Sequence, residues 1–223
     1  MFSKINKFFQ NKVFHNVHSL KVLCGSLHFN LGELMVVFTP NPEEIGYYLS
    51  DLQKSINETP QAVPWHQKKE RFSATLHTLV GVYSPKKFME SINSRYKGKQ
   101  AVLLINCPRL DLNVEDVAKF YRNLRWLAVK RKCAIVIAVP IYDVRTREIL
   151  QDLFKNKEHP TDQVLSRDIK TTLAVQESDK ALIVYKAPLI NASAVWAIKS
   201  KGEIIQQKPE LHVHQPESFY NAY

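Results

Sequence analysis

"LGELMVVFTPNPEEIGYYLSDLQKSI", Leu31 to Ile56, reads as a glycine turn, a buried strand, a loop and a helix. Leu34–Phe38 is an uninterrupted apolar run of strand length, with the β-branched and aromatic residues that suit a buried strand. From Pro42 to Asn57, Ile45, Tyr48, Leu49, Leu52 and Ile56 then recur at helical spacing. The start of that helix is marked by Asn41 as N-cap, Pro42 at the first helical position and Glu44 at the third. Strand, loop and helix in this order open a phosphate-binding nucleotide domain, so the chemistry of the loop decides what the domain can hold.

The phosphate-loop pattern is G-x-x-x-x-G-K-[ST] between a strand and a helix. The matching slot after Phe38 reads "TPNPEEIG". Thr39 and Glu44 stand at the glycine positions, Ile45 at the lysine position and Gly46 at the Ser/Thr position. A phosphate site needs free backbone N–H groups at the helix start and no competing anion. Here Asn41 caps those groups, Pro42 lacks one, and Glu43 and Glu44 bring carboxylates to the place phosphate would occupy. The strand "AVLLIN" ends in Asn106, where an aspartate that holds Mg²⁺ is expected, and an amide supplies no negative charge. The expectation is a nucleotide-type framework with no catalytic residue, no cofactor and no metal.

Outward from this stretch, Leu76–Val82 reads as a strand, Pro85–Arg95 as a short helix and Ala101–Ile105 as a strand covered on both faces. Asn113 to Arg131 is the clearest helix, with Val114, Val117, Phe120, Tyr121, Leu124, Leu127 and Ala128 as its apolar stripe. Glu115 and Asp116 open it and Lys130 and Arg131 close it, as the helix dipole favours. Cys133–Val139 is a further apolar strand stopped by Pro140, and Val144–Phe154 is compatible with a helix. Thr171–Val175, Ala181–Tyr185, Ala194–Ile198 and Glu203–Gln206 read as short strands, and the residues from Pro209 as a loose tail. Strands alternating with helices imply an α/β fold: a mostly parallel sheet with helices on both faces, closed by an antiparallel C-terminal meander. The organisation expected is an amphipathic arm over 1–20, one domain over 21–208 and a tail over 209–223.

Composition limits the partners. The chain has 223 residues and 31 basic against 21 acidic side chains, a net charge of +10, which favours an acidic partner: nucleic acid, an anionic membrane surface or an acidic protein face. Three cysteines without CxxC spacing argue for a reducing compartment rather than a disulfide framework. With no apolar run long enough to span a bilayer and no secretory h-region, a bacterial-type cytoplasmic location follows. Cys107 and Cys133 flank apolar strands and read as core residues, and "HVH" at His212 and His214 lacks the neighbouring ligands of a metal site.

Two surfaces stand out. In "MFSKINKFFQNKVF", Phe2, Ile5, Phe8, Phe9 and Val13 fall on one helical face with Lys4, Lys7 and Lys12 between them. Such a helix lies on anionic lipid or in a partner's groove, or else packs back on its own domain. On the long helix, Lys119, Arg122 and Arg125 recur away from the apolar stripe, followed by Lys130, Arg131 and Lys132. Together with Lys86, Lys87, Arg95, Lys97 and Lys99 they outline either a basic surface for an acidic partner or a solvated helix face.

The order of Gly32, the helix at Pro42, "AVLLIN", "NVEDVAKFYRNLRWLAVKRK", "CAIVIAVP" and the closing "ALIVYKAPLINASAVWAIKSKGEII" resembles a RecA-like ATPase core over roughly Val22 to Gln207, without its catalytic motifs. Among degenerate RecA-like proteins the chain is most similar to the N-terminal domain of the BcsE family, accessory proteins of bacterial cellulose synthase. "LRWLAVKRKCAIVIAVP" carries that similarity, a helix before a strand that opens on Cys and Ala. The resemblance implies a scaffold joined through protein partners to a membrane-associated polysaccharide synthase complex, peripheral to the inner membrane. Further domains of that family bind cyclic di-GMP; residues 1–223 carry no R-x-x-D motif for that dinucleotide. RecA-like cores also associate edge to edge, so a homo-oligomer is compatible with the pattern. The alternative function is a RecA-like accessory protein in DNA recombination, repair or cell-division regulation, with nucleic acid as its partner.

Overall fold

A computed structural model describes residues 17–19, 28–40, 45–58, 61–62, 69–70, 74–78, 84–95, 102–107, 109–156, 158, 162–187, 192–200, 203–204 and 210–213. Its main sheet is built on five parallel strands: β3 (Leu34–Thr39), β6 (Ala74–Thr78), β7 (Val102–Asn106), β8 (Ala134–Pro140) and β9 (Lys180–Ala187). In space they run β9-β3-β8-β7-β6, which places the first of them in the interior of the sheet. β10 (Ala192–Ser200) adds antiparallel to β9, and β11 (Glu203–Ile204) and β12 (Glu210–Val213) pair antiparallel with β10. Two short hairpin-like pairs lie apart from it: β1 (Val17–Ser19) with β2 (His28–Asn30), and β4 (Gln61–Ala62) with β5 (Lys69–Glu70).

Strand periodicity divides the core into two layers. Leu34, Val36 and Phe38 of β3, Leu103 and Ile105 of β7, and Ile135, Ile137 and Val139 of β8 point to one face. There they meet Phe88 and Ile92 of α2 (Pro85–Arg95), the stripe of α3 (Val114–Arg131), Leu150 of α4 (Val144–Lys155) and Ala174 of α6 (Ile169–Glu177). Met35 and Val37, Val102 and Leu104, and Ala134, Val136 and Ala138 point the other way, against Leu49, Leu52 and Ile56 of α1 (Ile45–Glu58). A short α5 (Asp162–Leu165) precedes α6. This is the α/β, RecA-like arrangement that the sequence implies: a mostly parallel sheet, helices on both faces and a closing antiparallel meander.

Several expectations need correction. Thr171–Val175 is not a strand but lies inside α6. The β-branched threonines suggested a strand, but Asp168 nucleates a helix there by accepting from the Lys170 and Thr171 amides. Val114, read as part of the apolar stripe, is 44% exposed: it is the first residue of α3, next to the Asn113 cap, and the buried face begins at Val117. The strand expected at Leu76–Val82 begins earlier, at Ala74, and residues 79–82 lie outside those described. β12 falls within the segment read as a loose tail. The capping residues Asn41, Pro42 and Glu44 lie outside the described residues, as does the 1–20 arm apart from Val17–Ser19, which forms β1.

Asp168 also fixes how α6 meets the rest of the domain. Its buried carboxylate accepts from the Tyr142 and Asp143 amides at 3.1 Å each and from Thr171 Oγ1 at 2.7 Å, besides the two amides of its own helix. One side chain thus ties the turn after β8 to the start of α6. Asp143 in turn accepts from Thr146 N and Oγ1 at 2.7 Å, which holds its carboxyl below the usual aspartate range. A lowered folded pKa adds stability that is complete above the ordinary aspartate value and is lost as pH falls through the folded one. Replacing Asp168 by Ala leaves several buried donors unpaired and is expected to cost about 3 kcal/mol, read by urea titration; a loss under about 1 kcal/mol contradicts this role.

Candidate functional site

Two regions carry the functional expectations: the carboxyl edge of the parallel strands, where open α/β sheets bind ligands, and the outer surface of α3. At the carboxyl edge, β3, β7 and β8 end in Thr39, Asn106 and Pro140, all buried. Their ends are stitched by Ile141 N donating to Thr39 O at 3.1 Å and Cys107 N donating to Ala138 O at 2.9 Å. The first turn of α1 lies close above β7. A Cβ built on Gly46 would stand 3.2 Å from Asn106 Nδ2. The Asn106 amide therefore occupies the space between the helix start and the strand end, and its Oδ1 is buried with no hydrogen-bond partner.

The aspartates of the adjoining turns are already engaged, Asp143 by Thr146 and Asp168 by its five donors. Asp111, read as a loop residue, is half-exposed and pairs with Arg109 at 2.6 Å. Among the described residues no three His, Cys, Asp or Glu side chains come together as a metal site. Cys107 is buried as expected, and burial pushes its thiol up to about 12, so it stays protonated and un-nucleophilic at neutral pH. Below it, Tyr121 and Tyr142 share a hydrogen bond of 3.1 Å, and burial holds both phenols far above the ordinary tyrosine range.

On α3 the six basic residues singled out by the sequence are all exposed, but the structure gives them different tasks. Arg125 pairs with Asp179 at 2.6 Å and Arg122 with Glu177 at 3.4 Å, so these two tie α3 to the end of α6 and the start of β9. Sequence reading alone could not foresee those partners, which lie far along the chain. Lys132 is the C-cap, at φ 52° in the left-handed region, and its amide closes on the Ala128 and Val129 carbonyls. Lys130 lies 4.4 Å from the centre of the Trp126 ring. Lys119 and Arg131 have no ion pair among the described residues. The six thus do not form one uniform patch.

The feature that sequence reading missed is a groove of about 560 Å³ between α2 and α3. Lys86, Met89 and Asn93 line it from α2, and Lys119, Asn123 and Trp126 from α3, with Glu90 and Asp116 also facing it. The two helices are joined in the core where Phe88 of α2 meets Phe120 of α3 edge-on, with ring centroids 4.8 Å apart. α2 starts on Pro85 at its first position, and Ser84 O accepts the first helical bond from Phe88 N. Trp126 is 56% exposed and Val129 61%, a large apolar surface for a helix whose other flank is packed on α6. The signal was present as an aromatic residue on the polar side of α3, but only the side-by-side placement of α2 makes it a groove.

No protein-family model matches the chain, and no curated protein matches it. Among the described residues no helix is long and apolar enough to cross a membrane.

The different tasks of the basic residues can be separated by substitution. Lys132→Gly relieves the left-handed strain and is expected to raise stability by about 1 kcal/mol, whereas Lys119→Ala and Arg131→Ala stay within about 0.5 kcal/mol of the parent. Thermal melts followed by circular dichroism check both, and a destabilised Lys132→Gly variant would contradict the cap assignment.

Proposed function

We propose that this chain is a non-catalytic RecA-like scaffold or regulatory subunit that works through protein contacts at a membrane-associated bacterial assembly. The observation that carries the reading is Asn106. A neutral, buried amide closes the junction of α1 and β7 at the place where a nucleotide domain keeps a carboxylate for its metal. The loop sequence agrees with it, since Glu43, Glu44 and Ile45 replace the groups that would hold phosphate. The RecA-like fold then serves as a rigid frame, and binding falls to its helical surface. The resemblance to the BcsE family supports cellulose or another exopolysaccharide synthase as the assembly. The basic, phenylalanine-rich arm supports a location at the inner membrane surface.

Two measurements test this reading. Isothermal calorimetry of the full chain with Mg-ATP and Mg-GTP is expected to show no saturable heat; micromolar affinity for either would overturn it. Sedimentation with anionic phosphatidylglycerol vesicles tests the location. The full chain is expected to pellet with them, and Phe8→Glu with Phe9→Glu to release it; a chain indifferent to vesicles removes the membrane part of the reading.

A further inference from the structure

The groove between α2 and α3 carries chemistry that the fold does not use. Asn93 on one wall and Asn123 on the other present side-chain amides that have no hydrogen-bond partner among the described residues. A primary amide offers both donor and acceptor, the pair needed to hold the N–H and C=O of an extended peptide backbone. A helical segment would not need them, because its own backbone groups are already paired. Trp126 and Met89 give the groove an apolar lining beside these amides. Met89 is half-buried against the core, so ordering it on binding takes little conformational entropy.

The charges narrow the occupant further. Lys86 and Lys119 line the groove, and Lys130 sits over the Trp126 ring at its margin. None of the three has an ion pair among the described residues, while Arg122 and Arg125 are already engaged elsewhere. Glu90 and Asp116 also face the groove. A continuous phosphate backbone laid there would meet those two carboxylates, which opposes nucleic acid. A polypeptide can place its acidic residues against the lysines and spare the carboxylates, because its charge is carried at separate side chains.

We infer that this groove binds an extended segment of a partner protein. An apolar or aromatic residue of that segment seats on Trp126 and Met89, and acidic residues flank it. Asn93 and Asn123 hold its backbone, and Lys86, Lys119 and Lys130 face its carboxylates. This inference rests on the protein-contact reading of the chain and adds to it the place and the chemical class of the contact.

The test pans a phage-displayed library of random peptides on the full chain, then measures the selected peptides, synthesised with a fluorescent label, by anisotropy. The enriched peptides are expected to carry Asp or Glu on both sides of a Leu, Phe or Trp. Trp126→Ala is expected to weaken them by about ten-fold or more, with Asn93→Ala, Asn123→Ala and Lys119→Glu also weakening them, the last most at low salt. All four side chains lie outside the core, so parental melting temperatures in the variants show that the losses come from the groove. The inference is overturned if no peptide is enriched, or if the enriched peptides bind all four variants as they bind the parent. It is also overturned if an oligo-dT strand, rather than a peptide, binds in a manner that Trp126→Ala abolishes. Peptides indifferent to the variants would move the contact to another surface and leave the protein-contact reading in place. Only nucleotide binding in the calorimeter removes that reading itself.

Discussion

The fold depends on satisfying both edges of β3. This strand is apolar on its two faces and buried along its whole length, so each of its backbone groups must pair with another strand or with a side chain. β8 supplies one edge and β9 the other, and β9 comes from the far end of the domain. The junction is fastened at Asp179, whose amide donates to Leu34 O at 3.0 Å while its carboxylate accepts from Leu34 N at 3.0 Å. Arg125 pairs with the same carboxylate, and Lys180 reaches Glu33 at 2.8 Å. Lys199 closes the last turn of α6 by donating to the Val175 and Gln176 carbonyls, and burial lowers its pKa. One end of the sheet is therefore tied together by a polar network that includes two of the arginines which a linear reading assigns to a binding surface.

That assignment shows where the sequence was legible and where it was not. Long apolar runs such as "LMVVF" and "AIVIAV" leave few alternatives, and the strands stand where their composition placed them. α3 was equally clear, because its stripe from Val117 onward and its charged ends agree. The structure adds a cap at its start, where Asp116 N donates to Asn113 Oδ1 at 2.8 Å. α6 was misread because two neighbouring threonines carry a strand preference that a single aspartate outweighs. Thr171 gives its hydroxyl to Asp168, and Thr172 gives its own to the Leu165 and Asp168 carbonyls, so both are satisfied within a helix.

The candidate surfaces were harder to see because they are relations between elements. Arg125 finds Asp179 only once β9 has joined β3, and Trp126 finds Met89 and Asn93 only once α2 has come to lie beside α3. Spacing along one helix separates the exposed residues from the buried ones. It does not tell which exposed flank meets a neighbour. On α3 one flank is fastened to α6 and the other is left open to a groove, and the functional reading follows from that asymmetry.

The central claim is that the carboxyl edge of the sheet has become structural while the helical surface carries the contacts. Amide hydrogen exchange of the full chain, with and without saturating Mg-ATP, tests it most directly. The expected result is unchanged exchange throughout β3, α1 and the end of β7. Slowed exchange confined to the start of α1 and the carboxyl ends of β3 and β7 would show a nucleotide seated there, and would contradict the account.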